Sequence, residues 1–377
     1  MKLDVVVIGL SVTSSWGNGH ATTYRALIEA LARRGHRVTF LERDVPWYRA
    51  HRDLKPPKTW NVKLYNSLQD IPRRFGSDIC DADLVMIGSY VPDGIAIAEW
   101  VTSQARGITA FYDIDTPVTL AGLDKGLDYL SAKMIPRFDL YLSFSGGPVP
   151  GMIQEIYGSP LARALYCSAD IDQYRPHPVE PRWALGYLGT YSSDRQPALE
   201  TLLLRPARTR ASDEFVVAGA QYPAEISWPA NVQRIDHVPP QDHAAFYAAQ
   251  RFTLNLTRSD MRTLGFSPSV RLFEAAACGT PIISDRWPGI ETIFTPCSEV
   301  LLVSKPEDVI EILRDMPEDT RRNIAERARK RILREHTPDH RARQLEACVL
   351  EAKNRRRPSD PRVASRPLQI AEMQVNP

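Results

Sequence analysis

Short apolar runs and amphipathic stretches alternate along nearly the whole chain. Apolar runs predict buried strands, and apolar residues at every third or fourth position predict helices. In the first half the predicted strands are 3–8, 37–42, 83–88, 108–112, 139–144 and 163–166, with helices at 21–34, 94–105, 119–132 and 148–157. Strands and helices that alternate at this spacing are typical of βαβ units and a parallel sheet. Residues 46–76 fit neither period and predict an insertion.

The same alternation starts again after a proline-rich segment at 174–181, which cannot continue a helix. The second set has strands at 184–189, 214–218, 232–235, 251–256, 280–284 and 299–303 and helices at 196–204, 241–249, 267–277, 306–315, 318–335 and 338–352. We therefore expect two Rossmann-like α/β domains, at 1–178 and 179–353. A polar, arginine-rich tail at 354–377 is expected to be disordered.

Composition excludes several classes of protein. The 377 residues are 43% hydrophobic and 24% charged, with a net charge of +2, so we expect neither a nucleic-acid partner nor a charged membrane surface. Five scattered cysteines without Cys-x-x-Cys spacing argue against a disulfide framework or a structural zinc site. No signal peptide and no apolar run of membrane-spanning length is evident. These features predict a cytoplasmic protein without a transmembrane segment.

The most informative segment is 265–285, which reads GFSPSVRLFEAAACGTPIISD. Its Ser-Pro pair predicts the start of a helix, on which Arg271 and Glu274 lie three residues apart on one face. Free N–H groups at a helix N-terminus, here beside Ser269, bind anions, and an arginine adds a bidentate grip on phosphate. A carboxylate one turn later can accept two ribose hydroxyls. The pattern predicts a site for a nucleoside diphosphate.

This segment resembles the donor-site helix of GT-B glycosyltransferases. In that pattern a Glu, seven residues and a second Glu precede a small-residue run that ends in Cys-Gly-Thr-Pro. Glu274 matches the second Glu, which holds the ribose in that family, whereas Phe266 stands in place of the first. An Arg three residues before a single Glu resembles the spore-maturation-protein (CgeB-like) branch of the group 1 glycosyl transferases. The resemblance implies a GT-B fold, in which two doubly wound Rossmann-like domains face a cleft, and chemistry without a metal or other cofactor. In that fold the C-terminal helix often crosses back onto the first domain, and helix 338–352 is the candidate.

Three further residues are candidates for donor binding. Gly189 and Arg195 lie in the loop after strand 184–189, which in GT-B relatives faces the pyrophosphate. Arg195 and Arg271 would offset the charge that grows on the departing diphosphate. Arg258 ends the strand just before the donor segment and is a third candidate. The alternative for each arginine is a solvated or ion-paired side chain with no ligand.

The loop between the first strand and the first helix is the candidate acceptor site. It lies at the carboxyl end of a strand, where open α/β sheets bind ligands. Ser15, Gly17, Asn18 and Gly19 are predicted to face the acceptor and the transferred sugar. His20, at the start of the helix, is a candidate general base. The alternative is a glycine-rich turn that only permits close packing.

Asp113 and Asp115 follow strand 108–112 and are predicted to lie at the same edge of the sheet. Carboxylates there would act as a catalytic base or hold acceptor hydroxyls. Their Asp-x-Asp spacing also permits magnesium binding, and a solvated turn is the third possibility. The GT-B resemblance favours the first of these, with no metal.

The sequence as a whole predicts a glycosyltransferase, specifically a hexosyltransferase. It would move a sugar from a nucleoside-diphosphate sugar, held by the second domain, to a small-molecule, glycan or lipid acceptor held by the first. Two alternatives remain. A sugar-nucleotide epimerase on the same fold would need no separate acceptor alcohol, and a non-catalytic binding or assembly protein would bind the donor without turnover.

Overall fold

The computed structural model of the protein describes residues 2–17 and 19–356. The chain divides into two compact units. Unit 1 comprises the residues up to Tyr166 and those from Asp339 onward, and unit 2 is Cys167–Pro338. The first unit thus ends at residue 166, whereas the sequence predicted a division after 178. The last helix groups with unit 1, which agrees with the expectation for helix 338–352, although the predicted second domain extended to 353.

Each unit is built on one fully parallel sheet. The strands of unit 1 are β1 Asp4–Gly9, β2 Arg37–Arg43, β3 Asn61–Tyr65, β4 Leu84–Gly88, β5 Ile108–Asp113, β6 Leu140–Ser143 and β7 Ala162–Ala164. Those of unit 2 are β8 Trp183–Leu188, β9 Phe215–Ala218, β10 Val232–Ile235, β11 Gln250–Asn255, β12 Ile282–Asp285 and β13 Leu301–Val303. The orders are β3-β2-β1-β4-β5-β6-β7 and β10-β9-β8-β11-β12-β13. Connections diverge at β1/β4 and at β8/β11, which leaves a crevice at the carboxyl ends of those strands.

Helices connect the strands in both units. They are α1 Gly19–Arg33, α2 Pro46–Arg49, α3 Asp70–Asp81, α4 Gly94–Gln104, α5 Thr116–Gly122, α6 Val149–Tyr157, α7 Gln196–Leu199, α8 Arg205–Thr209, α9 His243–Ala248, α10 Ser259–Leu264, α11 Val270–Ala277, α12 Pro306–Asp315, α13 Glu318–Glu335 and α14 Pro338–Arg355. A π-helical turn at Glu200–Leu204 joins α7 to α8. Within the described residues, no helix combines the length and the apolar character needed to cross a membrane.

Several elements differ from the prediction, and the helices α3 and α10 were not predicted. Residues 46–76 hold α2, β3 and the start of α3, although β3 is an edge strand in which only Tyr65 is buried. The helix predicted at 119–132 is the shorter α5, and the chain turns at Gly126, whose φ is 79°. The helix predicted from 267 begins at Val270, because Phe266 has φ 52° and Ser269 is extended.

The last helix, α14, is tied into unit 1 by ion pairs. Glu346 accepts hydrogen bonds from Arg34 Nε and His36 Nε2, both at 2.7 Å. The helix continues to Arg355, beyond the predicted start of the tail at 354. Arg356 follows it and donates to Asp139 Oδ2 at 2.9 Å, so this member of the basic run at 355–357 is part of the folded unit. The rest of the predicted tail, 357–377, lies outside the described residues.

Candidate functional site

In unit 2, the crevice at β8/β11 is organised around one amide. Asn255 ends β11, and its Oδ1 accepts hydrogen bonds from Ser269 Oγ (2.6 Å) and Arg271 Nη1 (3.1 Å). Arg271 Nε donates to the carbonyl oxygen of Leu188 at the end of β8 (2.5 Å). The side chain of Arg271 therefore bridges the two strands on either side of the crevice. Asn255 was not predicted as a site residue, although its place at a strand end before the donor segment was a usable signal.

Arg271 is built into this crevice rather than extended into solvent. The residue is only 8% exposed, and its guanidinium lies 4.7 Å from the centre of the Tyr187 ring. Gly189 makes room for it, because a Cβ at that position would lie 2.8 Å from Arg271 Nη2 and 2.6 Å from Tyr187 Oη. The arginine thus has a structural role and places positive charge at the crevice.

The guanidinium of Arg195 is held at one Nη atom, while its Nε–H donor has no acceptor among the described residues. Its Nη2 donates to the carbonyl oxygen of Thr190 at 2.7 Å. Its Nε is buried and has no hydrogen-bond partner among the described residues. The side chain lines a small depression, together with Tyr187, Thr190, Ser192, Gln196, Leu199 and Tyr222. A buried guanidinium N–H without an acceptor is suited to an oxyanion.

Arg258 lies beside a carboxylate at the same edge. Asp194 accepts hydrogen bonds from the backbone N–H (2.8 Å) and hydroxyl (3.2 Å) of Ser259, and from the Ser192 hydroxyl. Burial opposes ionisation of Asp194, but these hydrogen bonds and the charges of Arg258 and Arg195 hold its pKa below the usual value. Asp194 therefore stays ionised and offsets part of the positive charge near Arg258.

Glu274 lies on the same helix as Arg271 and is enclosed by aromatic side chains. It is 4% exposed, and its Oε2 accepts a hydrogen bond from Tyr247 Oη at 3.1 Å. His243 Nδ1 lies 3.8 Å from the same oxygen and 3.2 Å from Tyr174 Oη. Glu274, the residue predicted to bind the ribose, is therefore an almost buried carboxylate held by its neighbours.

In unit 1, two carboxylates hold the loop after β1. Glu42 is fully buried, and its Oε2 accepts from the backbone N–H groups of Val12 (2.7 Å) and Thr13 (2.9 Å). Asp53 accepts from the Ser15 backbone N–H (3.1 Å) and forms an ion pair with Arg25 (2.6 Å).

The predicted glycines of this loop are exposed to solvent. Gly17 has φ 60°, and Gly19 is the first residue of α1. Asn18, between them, lies outside the described residues. Ser15 is thus the member of the predicted acceptor loop that is fixed by side-chain contacts, through Asp53.

His20 and Asp115 are brought together next to Tyr90. Tyr90 Oη donates to Asp115 Oδ2 at 2.8 Å, and the rings of Tyr90 and His20 lie 5.5 Å apart. Tyr90 follows β4 with φ 63°, a backbone conformation that is uncommon for a tyrosine and is found at functional sites. Burial lowers the pKa of His20, although the charge of Asp115 opposes this. A neutral imidazole at physiological pH is what a general base needs.

Asp113 and Asp115 have different environments. Asp113 is fully buried and accepts from Tyr141 Oη (2.5 Å) and Thr119 Oγ1 (2.7 Å), and burial raises its pKa to about 7. Asp115 is half-buried at the start of α5. This geometry favours Asp115 as the carboxylate that meets a ligand, with Asp113 supporting it from within. In the part of the chain that the structure describes, no group of three or more His, Cys, Asp or Glu side chains is arranged to hold a metal ion.

Solved structures with the same arrangement of strands and helices cover 93% of this chain. The fold is GT-B. Similar structures include sucrose-phosphate synthase from Thermosynechococcus elongatus (TM-score 0.63, 12% identity, 99% of that chain covered) and Anabaena Alr3699/HepE in complex with UDP-glucose (0.66, 14%, 100%). An alpha-glucosyltransferase (AGT) in complex with UDP gives a TM-score of 0.68 at 11% identity, over 100% of that chain.

A family model described as "Glycosyl transferase-like" matches residues 195–347 of this GT-B chain. The matched range contains Arg195, Arg258, Arg271 and Glu274. A search of curated proteins returns no match. The fold and the family match together support a transferase. The fold and the family match do not distinguish the CgeB-like branch, so that assignment stays a prediction.

Proposed function

We propose that the protein is a glycosyltransferase that takes a sugar from a nucleoside-diphosphate sugar. The observation that carries this proposal is the convergence of Arg195, Arg271 and Ser269 on the β8/β11 crevice, inside the range matched by the glycosyltransferase family model. Two guanidinium groups in a partly dry crevice are suited to stabilise the charge that develops on a departing diphosphate. Arg258 adds positive charge at the edge, and Glu274 would accept the ribose hydroxyls.

The two arginines would contribute differently. Arg271 already donates to Leu188 and Asn255, so its charge rather than new hydrogen bonds would act on the phosphates. Arg195 has an unused Nε donor and would make the direct contact. Because structures of HepE and AGT contain UDP-glucose and UDP, UDP and a hexose are the first donor parts to test.

Unit 1 would bind the acceptor. Asp115, positioned by Tyr90, and the neutral His20 would hold or deprotonate an acceptor hydroxyl, and Ser15 with its neighbours would line the loop. One alpha-glucosyltransferase of this fold has been solved with UDP-glucose and DNA containing an abasic site. In this chain the acceptor crevice carries carboxylates, which repel a phosphate backbone, so we favour a small-molecule, glycan or lipid acceptor. We also propose a cytoplasmic location, where the five free cysteines would stay reduced.

Thermal unfolding with UDP, GDP, dTDP and NAD tests the donor site. One nucleoside diphosphate should stabilise the protein, by about 2.7 kcal/mol at a hundred times its Kd. Arg195→Ala should lose most of this stabilisation at the same concentration, because a charge-assisted hydrogen bond disappears. Arg322→Ala is the matched control, since that side chain in unit 2 is 71% exposed and forms an ion pair with Glu318. Stabilisation by NAD alone, or by no diphosphate, would contradict the proposal.

Turnover of UDP-glucose then separates the enzyme from its alternatives. Release of UDP that increases with an added mixture of acceptor alcohols is the expected result for a transferase. Conversion to another UDP-sugar without UDP release would indicate an epimerase. Binding with no turnover, and no effect of His20→Ala on binding, would indicate a nucleotide-sugar binding protein.

A further inference from the structure

An exposed indole lies in the loop after β1, at the edge of the unit 1 sheet. Trp16 is 36% exposed, although it lies two residues beyond the fully buried Ser14. A Cβ added at Gly17 or at Gly19 would have no packing partner within 4 Å among the described residues, so the loop is open there. Single exposed apolar side chains are common on protein surfaces, so exposure alone gives Trp16 no role.

The indole of Trp16 is held in place by an imidazole. The rings of Trp16 and His51 are nearly parallel, because their centroids lie 4.4 Å apart and their planes differ by 14°. His51 Nδ1 lies 2.9 Å from the carbonyl oxygen of Trp47, which can only accept a hydrogen bond, so Nδ1 carries a ring proton. The carbonyl oxygen of His51 accepts from Ser14 Oγ at 2.8 Å. His51 is thus fixed through both its ring and its backbone, and it covers one face of the indole.

Polar groups border this flat apolar surface. The backbone N–H of Ser15 donates to Asp53 Oδ1 at 3.1 Å, and its hydroxyl donates to Asp53 Oδ2. Arg25 donates from Nη2 to Asp53 Oδ1 (2.6 Å) and from Nε to the carbonyl oxygen of Val12 (2.8 Å). A guanidinium has five N–H donors, so Arg25 retains donor capacity beyond these two hydrogen bonds. The side chains of Arg25 and Asp53 are 20% and 29% exposed, and a ligand in the loop can therefore reach them.

A fixed aromatic face bordered by hydrogen-bonding groups matches a pyranose ring. The axial C–H groups of a β-glucopyranose form an apolar face, while its hydroxyls point outward from the rim. That face can stack on an indole, and the rim hydroxyls can meet polar side chains. Because the contact with His51 already fixes the indole, binding costs little side-chain entropy. An acyl chain would instead need a continuous apolar groove, which the Arg25–Asp53 ion pair next to Ser15 interrupts.

We propose that Trp16, held by His51, is the platform on which a sugar ring of the acceptor stacks, and that the acceptor is therefore a glycan or glycoside. The inference rests on the proposed function, because it takes the loop after β1 as the acceptor site. It deepens that function by choosing one of the three acceptor classes. It also gives a role to two residues, Trp16 and His51, that were not among the predicted site residues.

Ligand-observed NMR titration tests the platform without a donor. The probes are the methyl β-pyranosides of glucose, galactose and N-acetylglucosamine, with 1-octanol as an apolar alcohol. Wild type should bind at least one glycoside. Trp16→Leu keeps an apolar side chain without a flat ring and should weaken that binding about tenfold or more, whereas Trp16→Tyr keeps a ring and should weaken it about threefold or less.

The matched control is Trp47→Ala. It removes a tryptophan side chain that is 54% exposed but keeps the carbonyl oxygen that holds His51, so glycoside affinity should not change. The melting temperature and the Kd for the nucleoside diphosphate that binds wild type should also stay unchanged in Trp16→Leu. These two measurements separate the loss of a sugar contact from a general loss of folding.

The outcomes distinguish the platform from the function on which it rests. If wild type binds a nucleoside diphosphate but no glycoside, or binds only 1-octanol, the platform is wrong while the donor site stands. Equal losses in Trp16→Leu and Trp16→Tyr, or in Trp16→Leu and Trp47→Ala, would also overturn the platform. If wild type binds no nucleoside diphosphate, the proposed function fails, and any sugar bound at Trp16 is not an acceptor.

Discussion

Units 1 and 2 share a strand order but differ in the charged side chains at the carboxyl ends of their strands. Counted from the first strand of each unit, both sheets contain the order 3-2-1-4-5-6. The unit 1 crevice has the carboxylates of Glu42, Asp53 and Asp115, of which Asp53 is paired with Arg25. The unit 2 crevice has the guanidinium groups of Arg195, Arg258 and Arg271, and Asp194 offsets part of their charge. The shared strand order creates a crevice at the same position in each unit, and the side chains determine which ligand each crevice can bind.

The difference extends to the backbone of the first loop in each unit. In many Rossmann-like domains, the N–H groups after the first strand bind phosphate. In unit 1 the N–H groups of Val12 and Thr13 already donate to Glu42, so the protein's own carboxylate occupies that role. In unit 2 the end of β8 is held through a carbonyl, Leu188 O, by Arg271. The N–H groups of Val12 and Thr13 are therefore not available to a phosphate. In unit 2 the N–H groups of Gly189 and Tyr191 donate to backbone carbonyls, so a phosphate there would depend on side chains.

We expect the largest effect from Glu42→Ala, which tests whether the Glu42 carboxylate takes the place that a bound phosphate has in other Rossmann-like domains. Glu42→Ala leaves the backbone N–H groups of Val12 and Thr13 and the hydroxyl of Thr13 without their acceptor, whereas the Ser11 hydroxyl keeps the carbonyl oxygen of Ser14. Because each buried donor without a partner costs about 1–3 kcal/mol, we expect unit 1 to lose about 3 kcal/mol of stability. Calorimetry measures this, with the exposed Glu99→Ala as control. Partial rescue of Glu42→Ala by inorganic phosphate would support the substitution, and an unchanged melting temperature would contradict it.

The second effect follows from the burial of Asp113. Burial raises its pKa from 3.8 to about 7, so folding favours the protonated form. Its contribution to stability is therefore present at low pH and is lost as pH rises from about 4 to about 7. Between pH 5.5 and 7.5 we expect a loss of about 2 kcal/mol. Burial also raises the pKa of Asp285 in unit 2 to about 6, which adds a smaller loss of stability as the pH rises.

Asp113→Asn should remove most of the unit 1 part of this pH dependence. The measurement is the melting temperature at several pH values, where about 2 kcal/mol corresponds to about 4–8 °C. Asp78→Asn is the control, because that carboxylate is 43% exposed and pairs with Lys63. If Asp113→Asn and wild type show equal slopes, then Asp113 ionises without penalty. It would then share the unit 1 crevice with Asp115 as a second charge.

Local patterns were sufficient for most of the fold. The strand at 232–235 and the helices at 306–315 and 318–335 have the predicted bounds, because clear apolar periodicity agrees there with strong start and stop signals. β3 was missed because an edge strand buries little, so its apolar alternation is weak and lies in a proline-rich, basic context. The π turn at Glu200–Leu204 arises from packing within a continuous helical run and has no local sequence signal.

The site was less predictable because its contacts join distant residues. The motif placed Arg271 and Glu274 on one helix, and the structure agrees. The sequence did not show that Arg271 would donate a hydrogen bond to the carbonyl oxygen of Leu188. It also did not show that Tyr174, His243 and Tyr247 would surround Glu274. Such partners come from other strands and loops of the unit, so only the tertiary fold brings them together. The same applies to the burial that separates Asp113 from Asp115.

The smallest expected effect tests whether the charge of Arg271 matters to the ligand as well as to the fold. Gly189→Ala places a Cβ 2.8 Å from Arg271 Nη2 and 2.6 Å from Tyr187 Oη, so the guanidinium must shift within the crevice. We expect UDP to bind about tenfold more weakly, which is about 1.4 kcal/mol. Gly151→Ala in α6 of unit 1, where a Cβ has no neighbour within 4 Å, should leave UDP affinity unchanged. Unchanged UDP affinity in Gly189→Ala would mean that Arg271 only ties β8 to β11, and the contrast between the two crevices would then rest on Arg195 and Arg258.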